Sequence, residues 1–180
     1  MFLKEMFKLD GKVAAVVGGG GVLAGAMSEG LAKAGAEVAI LDIHKENAEK
    51  QAEKIRSKYS NSIAVVTDAS KKEDLKKAEE KIIKEFGRID IVINAPGINS
   101  STPFFEIEES EWDKILNVNL KSMFFSCQVF ADRMIKQGDG GSIINISSVS
   151  SILPLSKVFT YSISKAGVNN LTRFLAREFA

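Results

Sequence analysis

Residues 13–25, which read VAAVVGGGGVLAG, decide the fold of this chain. Five small and β-branched apolar residues predict a buried strand. The glycines that follow allow positive φ angles and bring backbone N–H groups close to a phosphate at the positive end of a helix. That helix is predicted by apolar residues at helical spacing before Gly35, namely Leu23, Met27, Leu31 and Ala34. Gly19-x-Gly21-x-x-Ala24 matches the spacing of a dinucleotide-binding turn.

The same alternation of strand and helix continues along the chain. Four more short apolar runs, rich in β-branched residues, occupy positions 37–41, 63–66, 89–93 and 142–146. Segments long enough for crossover helices separate them. Strict alternation with right-handed crossovers predicts an α/β fold, a doubly wound parallel sheet of the Rossmann-like kind, in a single domain over residues 1–180.

Composition excludes several classes of protein. The 180 residues are 45% hydrophobic and 26% charged, as in an ordinary globular domain. Twenty-four Lys and Arg residues against 23 Asp and Glu give a net charge of +1, so we expect no nucleic-acid or membrane partner. No Cys/His cluster suggests a metal site. A lone cysteine, Cys127, and a start without an apolar signal region favour a reducing, cytoplasmic location.

Asp42 ends the second predicted strand, roughly 20 residues after the glycines. An acid at that place accepts hydrogen bonds from an adenosine ribose and repels a 2′-phosphate. No Lys or Arg lies between Gly18 and Ala32 to offset it, although His44 and Lys45 follow closely. We therefore expect NAD to be preferred over NADP. The alternative is a tight turn in which Asp42 is merely solvated.

Polar residues from separate segments are predicted to meet beyond the carboxyl ends of the strands. They are Asn119, Ser147, Ser148, Tyr161 and Lys165. Tyr161 and Lys165 are four residues apart and so share one helical face. A tyrosine ionises at a pH of about 10, and a neighbouring ammonium stabilises the phenolate that acid–base catalysis near neutral pH needs. The alternative is a surface tyrosine beside a solvated lysine.

Five motifs together resemble the short-chain dehydrogenase/reductase family: KVAAVVG at 12–18, NAPG at 94–97, NVNL at 117–120, SIINISS at 142–148 and YSISK at 161–165. The resemblance is collinear from about residue 9 to the end of the chain. It implies NAD(P)-dependent oxidation of an alcohol or reduction of a carbonyl group in a small molecule.

The resemblance also implies roles for residues. Tyr161 aligns with the general acid/base, Lys165 with the residue that makes its phenol more acidic and binds the nicotinamide ribose, and Ser148 with the serine that polarises the substrate. Asn119 aligns with an asparagine that supports a proton relay through Lys165. The implied cofactor-binding set is Gly18, Gly21, Val22, Leu23, Asp42, Asp68, Ala69, Asn94, Tyr161 and Lys165.

The sequence departs from the family pattern in two turns. Two of the three usual glycines map to Val22 and Ala24, and Ala95 and Pro96 replace the middle of the turn after the fourth strand. The string GGGGVL resembles members that act on sugar acids, such as D-mannonate oxidoreductases, so a sugar acid or polyol is the expected substrate. The alternatives are a 3-oxoacyl-thioester reductase and a nucleotide-binding fragment or sensor without turnover. A Rossmann-like methyltransferase would share the glycine loop but would not call for Ser148, Tyr161 and Lys165.

Two expectations concern assembly and length. The segment 112–137 is apolar nearly all round, which requires cover on two sides, by the sheet and by either a partner subunit or an intramolecular loop. We expect a homodimer or homotetramer through the helices at 112–137 and 161–179. Because family members continue with two further strands, we also expect the C-terminal strands of the sheet to be missing from these 180 residues.

Overall fold

The sheet of the protein contains five parallel strands. The computed structural model describes residues 6–153 and 155–180. The strands are β1 (Val13–Val17), β2 (Glu37–Asp42), β3 (Ser62–Val66), β4 (Ile91–Asn94) and β5 (Ser142–Asn145), in the spatial order β3-β2-β1-β4-β5. All pairings are parallel, so the prediction of a doubly wound α/β fold is confirmed. The strand order reverses between β1 and β4, and in such sheets ligands bind at that point, beyond the carboxyl ends of the strands.

Helices cover both faces of this sheet. They are α1 (Val22–Lys33), α2 (Lys45–Arg56), α3 (Lys72–Phe86), α4 (Glu109–Leu116), α5 (Ser122–Gln137) and α6 (Phe159–Glu178). One core cluster joins α1 and α2 to Val16 and Ile40. The other joins α3 and α5 to Val17 and Leu41. Burial on both faces explains why β1 is apolar at every position instead of alternating.

The predicted helix 112–137 is longer than expected and contains a π turn. It begins at Glu109, and residues Asn117–Lys121 form the π turn between α4 and α5. A π turn widens the helix by one residue and commonly marks a functional site. Here its middle residue, Asn119, is completely buried.

The opposite, amino-terminal edge of the sheet is held by a buried carboxylate. Asp90, 6% exposed, accepts hydrogen bonds from the Val13 N–H at 3.0 Å, Lys12 Nζ at 3.1 Å and Arg88 Nε at 2.8 Å. Burial alone would raise the pKa of Asp90, but the hydrogen bonds from Arg88, Val13 and Lys12 outweigh it and hold the pKa below its usual range. The start of β1 is thereby tied to the segment that leads into β4.

None of the helices in the described part of the chain is long and apolar enough to cross a membrane.

Candidate functional site

The glycine loop between β1 and α1 is held against two other strand ends. The N–H groups of Gly18 and Gly19 donate to the Leu41 carbonyl at 2.8 and 3.1 Å. Gly18 has a φ of +75°, and a Cβ there would lie 3.1 Å from the backbone of Ala95 and Pro96. Only glycine satisfies both conditions without strain. The turn after β4, where Ala95 and Pro96 differ from the family pattern, therefore packs directly on the glycine loop.

The N-terminus of α1 offers free backbone donors. Its N-cap, Gly21, provides no side-chain hydrogen bond, and the first turn contains no acidic residue. Val22, which follows, is 96% exposed, and Leu23 is exposed as well. An uncapped helix start without negative charge suits an anionic phosphate. The positions predicted to hold a pyrophosphate are thus open to one.

Asp42 is built into the same loop. Its Oδ2 accepts a hydrogen bond from the Gly20 N–H at 3.0 Å, and its Oδ1 accepts one from the His44 N–H at 2.9 Å. The residue is 9% exposed. A carboxylate has about four acceptor positions, so roughly two remain for ribose hydroxyls. Asp42 is therefore not merely solvated: it anchors the glycine loop and keeps the capacity to bind a ribose.

Asp68 and Ala69 follow β3 at the same edge of the sheet. Asp68 Oδ1 accepts hydrogen bonds from the N–H and the Oγ of Ser70, at 3.1 and 2.6 Å, and Lys71 Nζ lies 3.2 Å from Oδ2. The Ser70 hydrogen bonds hold the pKa of Asp68 below its usual range, since burial opposes them only in part. Ala69 packs against the core cluster under α3.

The side chain of Asn94, a member of the predicted cofactor-binding set, is engaged inside the protein. It is fully buried, accepting from Ser126 Oγ at 2.5 Å and donating to Asn145 Oδ1 at 2.8 Å. Asn145 in turn donates to Thr172 Oγ1 at 3.0 Å. The amide of Asn94 therefore joins β4 to α5 and β5, and its effect on the site is to fix the position of the turn that follows.

One cleft brings the predicted reactive groups together. It has a volume of about 440 Å³, within the usual range of small-molecule sites of roughly 300–1,000 Å³. Ser148, Tyr161 and Lys165 line it together with Leu23 at the start of α1. The start of α1 and the three polar groups thus share one space.

Lys165 is held rigidly within this cleft. It is 3% exposed, its Nζ donates to the Ile146 carbonyl at 2.8 Å, and the same Nζ lies 5.6 Å from the centre of the Tyr161 ring. Burial lowers the pKa of Lys165, because surroundings of low polarity disfavour the ammonium. Ser147 Oγ donates to the Lys165 carbonyl at 3.0 Å. Of the two adjacent serines, Ser147 therefore uses its hydroxyl proton in a hydrogen bond to the backbone of α6.

Asn119 connects the π turn to two neighbouring segments. Its Oδ1 accepts from the Ile98 N–H at 2.8 Å, and its Nδ2 donates to the Ile98 carbonyl at 2.9 Å and to Ser164 Oγ at 3.0 Å. Both amide hydrogens are used, so the side chain positions the loop after β4 and helix α6.

Sequence reasoning missed several residues of the cleft. They are Ala95, Gly97, Ile98, Asn99, Ile146, Ser150, Leu155 and Val158. Ala95, Gly97 and Ile146 lie in the motifs at 94–97 and 142–148 but were given no role in the site. The others belong to loops without periodicity, so no pattern in the sequence singles them out. A sequence signal exists for Ser150, because the run Ser147-Ser-Val-Ser-Ser151 places a second hydroxyl two residues after Ser148.

Comparison with known proteins agrees with this arrangement. Residues 12–180 match the family model described as short chain dehydrogenase. The chain is 37% identical to the 2-dehydro-3-deoxy-D-gluconate 5-dehydrogenase of Dickeya dadantii, over 97% of this chain and 68% of that enzyme. It is 36% identical to the 3-oxoacyl-[acyl-carrier-protein] reductase of Thermotoga maritima, over 96% of this chain and 70% of that enzyme.

A solved structure leads to the same family. The NAD-bound structure assigned as a D-mannonate oxidoreductase from Haemophilus influenza has a TM-score of 0.89 and 31% identity, over 98% of this chain and 69% of that one. These matches confirm the resemblance that the five motifs predicted. The family model and these relatives match nearly every residue of the chain, and the structure contains the strand–glycine–helix unit and the Ser/Tyr/Lys cleft. This chain therefore belongs to the short-chain dehydrogenase family, whose members are NAD(P)-dependent oxidoreductases.

Proposed function

We propose that this protein transfers a hydride between NAD and the alcohol or carbonyl group of a small molecule bound in the cleft. The observation that carries the proposal is that Ser148, Tyr161 and Lys165 line the same 440 Å³ cleft as Leu23 at the start of α1. A cofactor lying on the N-terminus of α1 would therefore reach the three polar groups.

The residues around the glycine loop suit a dinucleotide. The glycine loop and the uncapped start of α1, together Gly18 to Leu23, would hold the pyrophosphate. The free acceptor positions of Asp42 would hold the adenosine ribose. Asp68 and Ala69 would border the adenine, and Lys165 would bind the second ribose. The charge of Asp42 supports NAD over NADP, because it would repel a 2′-phosphate. Bound NAD would supply a nicotinamide ring that accepts or gives up hydride.

Each polar group of the cleft has a distinct task in this reaction. During oxidation, the alcohol loses its carbon-bound hydrogen as hydride and its hydroxyl proton to the Tyr161 oxygen. The Lys165 ammonium stabilises the phenolate that receives this proton. Ser148 donates a hydrogen bond to the substrate oxygen, which keeps that oxygen in place in both directions. During reduction, Tyr161 returns the proton to the same oxygen.

For the substrate we propose a sugar acid or polyol. Support comes from the relative named for 2-dehydro-3-deoxy-D-gluconate and from the structure assigned to D-mannonate. Asn99, Ser148 and Ser150 add hydroxyl and amide groups to the cleft, and such groups suit a polyhydroxy compound.

One observation favours a second candidate, the reduction of a 3-oxoacyl thioester. Large apolar side chains are exposed on and beside the cleft-lining segment: Leu155 lines the cleft, and Ile152 and Phe159 are exposed close to it in the sequence. The Phe104 and Phe159 rings contact each other at 4.8 Å. An apolar rim suits an acyl chain better than a sugar, and one relative is named a 3-oxoacyl reductase.

A spectrophotometric assay tests the proposal. NADH absorbance at 340 nm is followed with 5-keto-D-gluconate, D-xylulose, acetoacetyl-coenzyme A and no substrate. Tyr161→Phe should lower the rate by about 10²–10⁴-fold and leave NADH binding unchanged. The matched control is Tyr59→Phe, since Tyr59 is the only other tyrosine and packs under Lys33. NADH binding without turnover of any compound would support a sensor instead.

We further propose that the protein is a homodimer or homotetramer through α5 and α6. The inner face of α5, with Met123, Cys127 and Phe130, is buried against the core, whereas Phe124 and Ile135 are exposed. Phe174 of α6 is exposed too. The expected test result is a mass by light scattering of two or four chains, and Phe124→Glu should lower it.

We also propose a reducing compartment, the cytoplasm, for this activity. Cys127 is the single cysteine and is buried as a free thiol, so no disulfide within the chain stabilises the fold. Fractionation of cells that produce the tagged protein tests this location.

A further inference from the structure

A second serine controls the hydroxyl group of Ser148. Ser148 starts the short 3₁₀ turn Val149–Ser151. Its Oγ accepts a hydrogen bond from the Ser150 N–H at 3.2 Å and another from Ser150 Oγ at 3.0 Å. Ser150 is 4% exposed and lies on the wall of the cleft. Two donors from one residue thus converge on the oxygen that would polarise the substrate.

The chemistry of a hydroxyl then limits what Ser148 can do. A serine oxygen has two acceptor positions and one proton to donate. The two Ser150 donors use both acceptor positions, so the Ser148 proton remains as its single hydrogen-bonding resource. That proton has to find an acceptor outside this pair, and the open side of Ser148 is the cleft.

We propose that Ser150 is a positioning residue that makes Ser148 an obligate hydrogen-bond donor to the substrate oxygen. This inference rests on the proposed oxidoreductase function. If Ser148 could accept as well, it would compete with Tyr161 for the hydroxyl proton of an alcohol. With both acceptor positions filled, the substrate proton can be exchanged with Tyr161 alone, in either direction of the reaction.

The turn that carries Ser150 is itself attached to the catalytic helix. Ser151 Oγ donates to the Ser148 carbonyl at 2.6 Å, and Asn169 Nδ2 donates to Ser151 Oγ at 2.7 Å. Asn169 lies on α6, one helical turn after Lys165. Ser150 therefore orients the Ser148 hydroxyl from a turn whose position is fixed relative to Tyr161 and Lys165.

A double-mutant cycle tests the inference. The rate of NADH oxidation is measured for wild type, Ser148→Ala, Ser150→Ala and the double variant, with 5-keto-D-gluconate, or with acetoacetyl-coenzyme A if wild type reduces it faster. Ser148→Ala should lower kcat about 100-fold. Ser150→Ala should lower kcat about 10-fold, as expected for loss of one orienting hydrogen bond. In the Ser148→Ala background the Ser150 substitution should change kcat less than about 2-fold, because the hydroxyl that it orients is gone.

Two comparisons separate this role from simple structural damage. NADH binding, followed by fluorescence, should stay within about 2-fold of wild type in every variant. If Ser150→Ala does not bind NADH, Ser150→Thr and Ser150→Val replace it, since they have the same shape and differ in the hydroxyl alone. The threonine variant should keep kcat within about 3-fold, and the valine variant should lose about 10-fold. Exposed Ser156, replaced by alanine, controls for a serine substitution near the cleft.

The outcomes are distinct. Multiplicative effects of the Ser148 and Ser150 substitutions, or full activity of both Ser150→Ala and Ser150→Val, would overturn the inference and leave the proposed function intact. A wild-type protein that turns over no member of the compound panel would overturn the proposed function, and this inference with it.

Discussion

Replacing Asp42 tests the cofactor preference most directly. Its carboxylate accepts hydrogen bonds from Gly20 and His44 and has roughly two acceptor positions left. We predict that Asp42→Ala lowers the ratio of the dissociation constants, Kd for NADP over Kd for NAD. The substitution also frees the loop at Gly20, and this damage weakens both cofactors alike. Because this loss of affinity is the same for both cofactors, it cancels in the ratio. The ratio therefore reports only the contact of residue 42 with the ribose and its phosphate.

The magnitude follows from two contributions. Loss of one hydrogen bond from a ribose hydroxyl to a carboxylate costs NAD about 1.5–3 kcal/mol, or roughly 10- to 100-fold in affinity. Loss of the negative charge removes a repulsion that is about 4 kcal/mol for two unit charges 4 Å apart near a protein surface, before screening by salt. NADP should therefore bind more tightly even as NAD binds more weakly. The ratio should therefore fall by more than about 100-fold in low salt, and by less in high salt, where screening weakens the repulsion.

The assay is a fluorescence titration with NADH and NADPH, on wild type and three variants. Asp42→Asn removes the charge and keeps the size, so it should relax the ratio with less loss of NAD affinity. Glu46→Gln is the control, since Glu46 lies in the first turn of the neighbouring helix α2 and is exposed. An unchanged ratio in both Asp42 variants would refute the reasoning. An equal change in Glu46→Gln would assign the preference to general surface charge.

Three further predictions concern stability and reactivity. Because the pKa of Asp90 is lower folded than unfolded, its stabilisation is present above the unfolded pKa of about 3.9 and is lost as pH falls through the folded pKa. Urea unfolding should thus show that Asp90→Asn costs about 3 kcal/mol at pH 7 and progressively less as the pH falls below about 3.9. Gly18→Ala should weaken NADH binding and lower Tm more than Gly87→Ala. Both glycines have positive φ, but a Cβ on Gly18 would meet the backbone after β4, whereas a Cβ on Gly87 would meet nothing within 4 Å. Equal effects of the two substitutions would refute the importance of that backbone contact. Burial raises the pKa of Cys127 to about 11, so this thiol should resist alkylation by iodoacetamide at pH 8 in the folded protein and react in the unfolded protein. Mass spectrometry measures the alkylation, and rapid alkylation of the native protein would contradict this burial.

Most of the fold could be predicted, because burial of a parallel sheet leaves a simple pattern. Strand β1 coincides with the predicted run 13–17, and β3 differs from its run by one residue. Strand β4 begins two residues later than the run at 89–93. The Ile89 N–H donates to the Gln137 side chain instead of a neighbouring strand, whereas the Asp90 backbone still bonds to Val13 and Ser142. Apolar character at Ile89 thus reflects burial without strand pairing, which a hydropathy pattern cannot distinguish.

The site was less predictable than the fold. Tyr161 and Lys165 could be paired from helical spacing, but the choice between Ser147 and Ser148 needed either the family resemblance or the structure. Asn94 could be aligned with a cofactor-contacting turn, but the alignment says nothing about which way its amide points. Its partners Ser126 and Asn145 are 32 and 51 residues away. Contacts of that sequence separation depend on the packing of α5 and β5, which short motifs do not encode.

The π turn explains how the helix α6 obtains a fixed rotation about its axis. Asn119 lies in the middle of this turn and is fully buried. Its Nδ2 donates to Ser164 Oγ, whose hydroxyl donates to the Tyr161 carbonyl at 2.6 Å. The contact is made one residue before Lys165 and at the backbone of Tyr161, so a rotation of α6 would break it. One buried amide therefore fixes, through the backbone, the direction in which both cleft-lining side chains leave their helix.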